Sequence, residues 1–356
     1  MMNPVYISAA AALSPQYTFE AEGLLQDVRS SDNGKLFVTD ADYSKFINPV
    51  AIRRMSRLLK MGISTGMKCM QLAGIRSPDG IITGTGRGSM RDMEIFLGDM
   101  IRLKEETLNP TYFIQSTYNS VNGWLAMQTK CNGYNQTYVH RGHSLEMALL
   151  DAQMLLNETN ERKTYLVGAF DEMTDEYFLV KSKKAYWKKP VPNSLDLFKH
   201  SDTKGSIGGE GAAFFTVTND KENTICGIED IRMLQDPDEN EINRTIENVL
   251  QRHHLNIKNI DLVLCGMNGD SRFQPLYANI LTGFTARTSI TAFKHLTGEY
   301  DTSTSFALWL ATELFKRQEI PEIITLKKGI HSDIKNVLIV NHYILNSASI
   351  LLLKGN

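Results

Sequence analysis

The stretch 137-TYVHRGHSLEMALLDAQ-153 decides the fold class. Its opening residues are β-branched and aromatic, as a buried strand requires, and from Leu145 onward apolar residues recur at the three-to-four spacing of an amphipathic helix. The turn Arg141-Gly142-His143-Ser144 joins the two. Ser144 suits a helix N-cap, with Glu146 and Asp151 near the helix start. The same position also suits a nucleophile, with His140 or His143 as its base. Cys131, in the KCNGYN loop before the strand, is a second candidate nucleophile.

Strands and helices alternate outward from this point, which makes an α/β chain. Strands are expected at Pro4 to Ala9, Gly80 to Thr83, Gln136 to His140, Thr164 to Ala169, Ala212 to Val217, Asp261 to Cys265, Asn336 to Asn341 and Ser347 to Leu353. Helices are expected over Pro49 to Leu72, Ser89 to Leu103, Ser144 to Leu156, Glu239 to His253 and Ser303 to Gln318. The polar segment 218-TNDKENT-224 divides the chain into halves, 1–217 and 225–356, each with strands interleaved with helices.

The 356 residues are 42% hydrophobic, enough for a full core. Thirty-eight basic and forty acidic side chains leave a formal charge of -2, so nothing in the charge balance calls for nucleic acid. No apolar run reaches the roughly 18 residues of a membrane span. The opening MMNPVYISAAAALSP lacks a basic region and reads as a strand and turn rather than a secretory signal. Cys69, Cys131, Cys226 and Cys265 show no CxxC spacing, so neither zinc nor a disulfide framework is indicated, and a reducing cytoplasm fits.

Other motifs have a plain reading beside a functional one. Gly84-Thr85-Gly86-Arg87-Gly88 follows a strand and precedes a helix, where backbone N–H groups either cradle a phosphate or close a structural turn. Arg53-Arg54 is a surface pair or a substrate clamp. The basic stretch 181-KSKKAYWKKPVPNS-194 is a solvated loop or a dock for an acidic partner.

Five stretches in order resemble the β-ketoacyl synthases of the thiolase superfamily: VYISAAAALSP, 53-RRMSRL-58, 81-IITGTGRGS-89, 209-GEGAAFFTV-217 and 292-AFKHLTGEYDTS-303. The resemblance implies a five-layered α-β-α-β-α fold of two similar βαβαβ halves, with no cofactor. It also implies a dimer joined through the strand carrying Gln136, Tyr138 and His140. Such enzymes use a cysteine at a helix N-terminus and two histidines. Here Gly142 stands at the cysteine position. Gly266, Met267 or Asn268 stands at the first histidine, with Met267 the central register, and Glu299 at the second. Lys294 matches the family's lysine. An ionised carboxylate only accepts hydrogen bonds and repels the anion that an imidazole would stabilise. Where the family has a glycine-rich loop, this chain has 341-NHYILNSASILLL-353, whose Tyr343, Ile344 and Leu345 would fill the space kept open there.

Joint loss of these groups resembles the chain-length factors of type II polyketide and aryl-polyene systems. That resemblance implies a subunit without chemistry, paired with an active β-ketoacyl synthase in polyketide, aryl-polyene or fatty-acid-like synthesis and helping to bound the acyl pocket. An acyl carrier protein is the implied second partner, with Lys181, Lys183 and Lys184 as docking candidates; membrane insertion is not expected. Two other readings stay open. One is a divergent acyltransferase or hydrolase using Ser144 or Cys131; the other is a homodimer that binds acyl chains or carrier protein.

Overall fold

The computed structural model describes residues 2–20, 22–330, 333–344 and 347–356. Its main sheet contains β1 (Val5–Leu13), β2 (Gly80–Gly84), β3 (Tyr134–Tyr138), β4 (Thr164–Asp171), β5 (Gly211–Thr218) and β6 (Cys226–Gln235). It continues through β7 (Leu262–Cys265), β8 (Ser289–Ala292), β9 (Thr325–Lys327), β10 (Asn336–Tyr343) and β11 (Ser347–Gly355). The order across the sheet is β9-β8-β7-β10-β11-β6-β1-β5-β4-β2-β3.

This order contains the same unit twice. In the first half β1 is antiparallel to β5, β5 to β4, and β4, β2 and β3 run parallel. In the second half β6 is antiparallel to β11, β11 to β10, and β10, β7 and β8 run parallel. The halves join where β1 pairs with β6.

The main helices are α1 (Arg57–Ala73), α2 (Met90–Arg102), α3 (Pro110–Gln115), α4 (Ser120–Thr129), α5 (Ser144–Asn157) and α6 (Asp175–Ser182). They continue with α7 (Glu239–Arg252), α8 (Gln274–Thr282) and α9 (Thr304–Arg317). Adjacent strand residues point to opposite faces, and the apolar clusters follow that rule. Leu166 of β4 belongs with α1 and α4, whereas its neighbour Val167 belongs with α5 and α9. Leu338 of β10 belongs with α7 and α8, and Ile339 again with α5 and α9. Helices α5 and α9 therefore form a middle layer between the two halves of the sheet, and the remaining packed helices cover its outer faces. This is the five-layered α-β-α-β-α arrangement.

Several elements differ from expectation for local reasons. The expected helix from Pro49 to Leu72 is two, because Ser56 accepts the Leu59 N–H and starts α1 afresh after a one-turn helix over Pro49–Ile52. The strand expected at Gln136 to His140 lies two residues earlier, leaving His140 in the turn. Strand β6 was hidden by its charges: Glu229, Asp230 and Arg232 interrupt the apolar pattern.

The two edges of the sheet are unlike. The outer edge of β8 is covered by antiparallel β9, whereas β3, its counterpart in the first half, ends the sheet with its edge open. The Tyr138 carbonyl accepts the Thr85 N–H. By alternation, Asn135 and Thr137 turn their backbone groups outward. An open edge of this kind is a template for strand pairing.

Candidate functional site

The turn after β3 and the loops after β7, β8 and β10 meet at one end of the sheet halves. Gly142 is buried there. A Cβ added to it would lie 2.5 Å from Tyr343 Cβ and 2.9 Å from Ser347 Oγ, so the hairpin that replaces the glycine-rich loop occupies the space of a nucleophile. Tyr343 and Ile344 are buried as expected; Leu345 lies outside the described residues.

Ser144 is fully buried, and its hydroxyl accepts the His140 N–H at 2.8 Å. Its proton faces the carbonyls of Thr85 and Arg141, both at 2.9 Å. The His143 ring turns away, with Nε2 3.1 Å from the Ala348 carbonyl. Ser144 thus braces the turn and has no imidazole as base. Cys131 is buried at the opposite end of β3, with Sγ 3.3 Å from the Pro78 carbonyl. Neither Ser144 nor Cys131 joins a nucleophile–base pair. Burial raises the Cys69 and Cys226 thiols to about 12 and pushes Cys265 up as well.

Lys294, Glu299 and Asn268 form a closed polar network. Lys294 Nζ lies 2.9 Å from each Glu299 oxygen and 2.7 Å from the His342 carbonyl, while Asn268 Nδ2 donates to Glu299 Oε2 at 2.8 Å. Of the three registers Gly266, Met267 and Asn268, Met267 packs beside the α7–α8 cluster, whereas Asn268 is buried, bonds Glu299 and is followed by Gly269 at φ +73°. Burial lowers the Lys294 pKa and raises that of Glu299, each partly offset by the other's charge.

A second cluster closes the space above Gly142. Lys181 Nζ donates to Tyr343 Oη at 2.7 Å. It lies 4.7 Å from the Tyr177 ring, 5.0 Å from Tyr343, 5.1 Å from Tyr186 and 5.7 Å from Trp187. Burial brings its pKa down to about 8, against the opposing charge of Asp301. Asp301 is itself buried, with Arg87 Nε at 3.2 Å, Lys181 Nζ at 3.8 Å and Arg141 at 3.9 Å. Lys181 is therefore a buried cation and drops out of the docking candidates. Lys183 and Lys184 are exposed, whereas Lys188 is buried and bonds the carbonyls of His200 and Thr203.

The glycine loop after β2 is a structural turn. Its Gly86 N–H donates to Asp171 Oδ1 at 2.8 Å, where a phosphate oxygen would have to sit, and Thr302 donates to Asp171 Oδ2 from both N–H and hydroxyl. Arg53 and Arg54 are exposed. The arginine of that stretch that makes a buried contact is Arg57, which forks onto buried Glu210 and so ties two of the resembling stretches together. Of the expected interface residues, Gln136 and His140 are exposed and Tyr138 is half-buried.

Residues 31–203 match the family model of the β-ketoacyl synthase N-terminal domain. That stretch, just under half of the chain, is similar to β-ketoacyl synthases. Solved structures similar to this chain include the ishigamide ketosynthase/chain length factor, with a TM-score of 0.81, 15% identity and full coverage of both chains. A β-ketoacyl synthase from Burkholderia phymatum has a TM-score of 0.80 at 14% identity, again with full coverage. A type II polyketide synthase acyl carrier protein in complex with its ketosynthase matches at 0.74 and 15% identity, over 99% of this chain and 100% of that one. At these identities the likeness establishes the thiolase-like fold. No curated protein sequence matches the chain. Among the described residues no helix is long and apolar enough to cross a membrane.

Proposed function

We propose that this chain is a non-catalytic subunit resembling a chain-length factor. In this reading it pairs with an active β-ketoacyl synthase in type II polyketide, aryl-polyene or fatty-acid-like synthesis and helps bound the acyl pocket. The observation that carries the reading is the Tyr343 side chain against Gly142, which leaves no volume for a nucleophile or an acyl adduct. The Lys294–Glu299–Asn268 network supports it, because Glu299 is taken up by Lys294 and Asn268 and supplies no imidazole to a developing enolate.

The open edge of β3, with Gln136, Tyr138 and His140 beside it, is the surface on which the partner's strand would add. A carrier protein would use Lys183 and Lys184. Two of the similar structures are a ketosynthase/chain length factor and a carrier protein bound to its ketosynthase, which is in keeping with both partners.

Co-expression with a ketosynthase tests the pairing. A Thr137→Pro substitution removes an outward N–H from the edge. The parent should co-purify with the ketosynthase and the variant should not, while circular dichroism of the variant alone stays unchanged. A folded variant that still co-purifies would place the interface elsewhere.

A further inference from the structure

The Lys294–Glu299–Asn268 network has the constitution of a covalent cross-linking site. Lys294, Glu299 and Asn268 are each at most 2% exposed, so all three are shielded from bulk solvent. One carboxylate oxygen, Glu299 Oε2, accepts from Lys294 Nζ at 2.9 Å and from Asn268 Nδ2 at 2.8 Å. An amine, a carboxamide and the acid able to move protons between them therefore meet on a single atom. On its other side, Asn268 Oδ1 accepts the Asp270 backbone N–H at 3.1 Å, which polarises the carboxamide carbonyl as an oxyanion-hole donor would.

We propose that Lys294 and Asn268 become joined by an isopeptide bond, with Glu299 as the proton carrier. Glu299 takes a proton from the Lys294 ammonium, and the freed Nζ lone pair attacks Asn268 Cγ. The carbonyl electron pair moves onto Oδ1, held by the Asp270 N–H. The tetrahedral centre collapses, the Cγ–Nδ2 bond breaks, and Glu299 delivers its proton to the leaving nitrogen while receiving another from Nζ. Ammonia departs, a secondary amide remains, and the last proton stays on Glu299 or leaves with ammonia as ammonium. The step needs no oxidant and no co-reactant. Burial favours the neutral amine and acid that begin it, since it lowers the lysine and raises the glutamic acid. The bond would tie the loop after β7 to the turn after β8. It rests on these side chains alone and does not depend on the subunit reading.

Mass spectrometry of the purified full chain under denaturing conditions tests the proposal. The expected mass is the sequence mass less one ammonia. After trypsin, peptide 259–272 should be linked to peptide 288–316, uncut after Lys294. A Glu299→Gln variant should show its full sequence mass. A parent chain at full mass after prolonged incubation in the folded state would overturn the proposal. So would an ammonia deficit confined to peptide 259–272, which would mark a succinimide at Asn268-Gly269. A Glu299→Gln chain that still cross-links would remove Glu299 from the mechanism. The parent mass decides the main point even if the variant does not fold.

Discussion

Placing a cysteine at position 142 should damage the protein. The new Cβ would stand 2.5 Å from Tyr343 Cβ and 3.0 Å from its Cγ, both closer than carbon atoms approach without displacement. Overpacking a filled core costs about 1–3 kcal/mol. Tyr343 has little freedom to yield, because its hydroxyl receives the Lys181 proton at 2.7 Å and moving it would strand a buried ammonium. That loss adds about 1–3 kcal/mol, so a total of about 2–6 kcal/mol, centred on about 4, is expected for Gly142→Cys. In thermal unfolding this corresponds to a fall in Tm of roughly 5 °C. The double variant Gly142→Cys/Tyr343→Ala should be less destabilised than the sum of the two single variants, since the second change removes the clash created by the first. The Gly142→Cys variant should not take up an acyl group from a thioester, because Tyr343 leaves no volume for the adduct. A Gly142→Cys protein as stable as the parent would refute the claim that the site is filled.

Two further predictions concern charge. Burial raises Glu172 from its ordinary 4.5 to about 7, against the Arg91 N–H that stabilises the anion. A folded-state pKa above the unfolded one means that the folded protein holds the extra proton between these values. Ionisation there costs stability as pH rises, up to about 3 kcal/mol once pH exceeds both values. Glu172→Gln should therefore gain stability relative to the parent between pH 5 and pH 8 in urea unfolding; a difference independent of pH would contradict this. Reversing the exposed charges, Lys183→Glu with Lys184→Glu, should weaken carrier-protein binding at low salt and matter less at high salt. Unchanged binding at low salt would remove the carrier role from this loop.

The sequence made the layers legible because helix and strand periodicities report burial, and the buried strands of both halves are near-continuous apolar runs. Gly142, Glu299 and Lys294 are legible as candidates because each sits within a short landmark. The register among Gly266, Met267 and Asn268 is not, because a strand end followed by a free turn leaves the exact step unmarked. The burial of Lys181 is hidden for a different reason. Lys181 stands in a run of lysines that reads as solvated, and only the fold shows four aromatic rings gathered round its ammonium. The ion pair between Arg57 and Glu210 spans two distant landmarks, and no local pattern could have announced it.

The central claim is that this chain contributes a subunit and no chemistry. The most direct measurement is native mass spectrometry of the chain co-expressed with a β-ketoacyl synthase from the same source, followed by a search for acyl adducts on both chains after exposure to acyl thioesters. A one-to-one complex with the adduct on the synthase alone is the predicted result. A homodimer carrying an acyl group on its own side chain would contradict it.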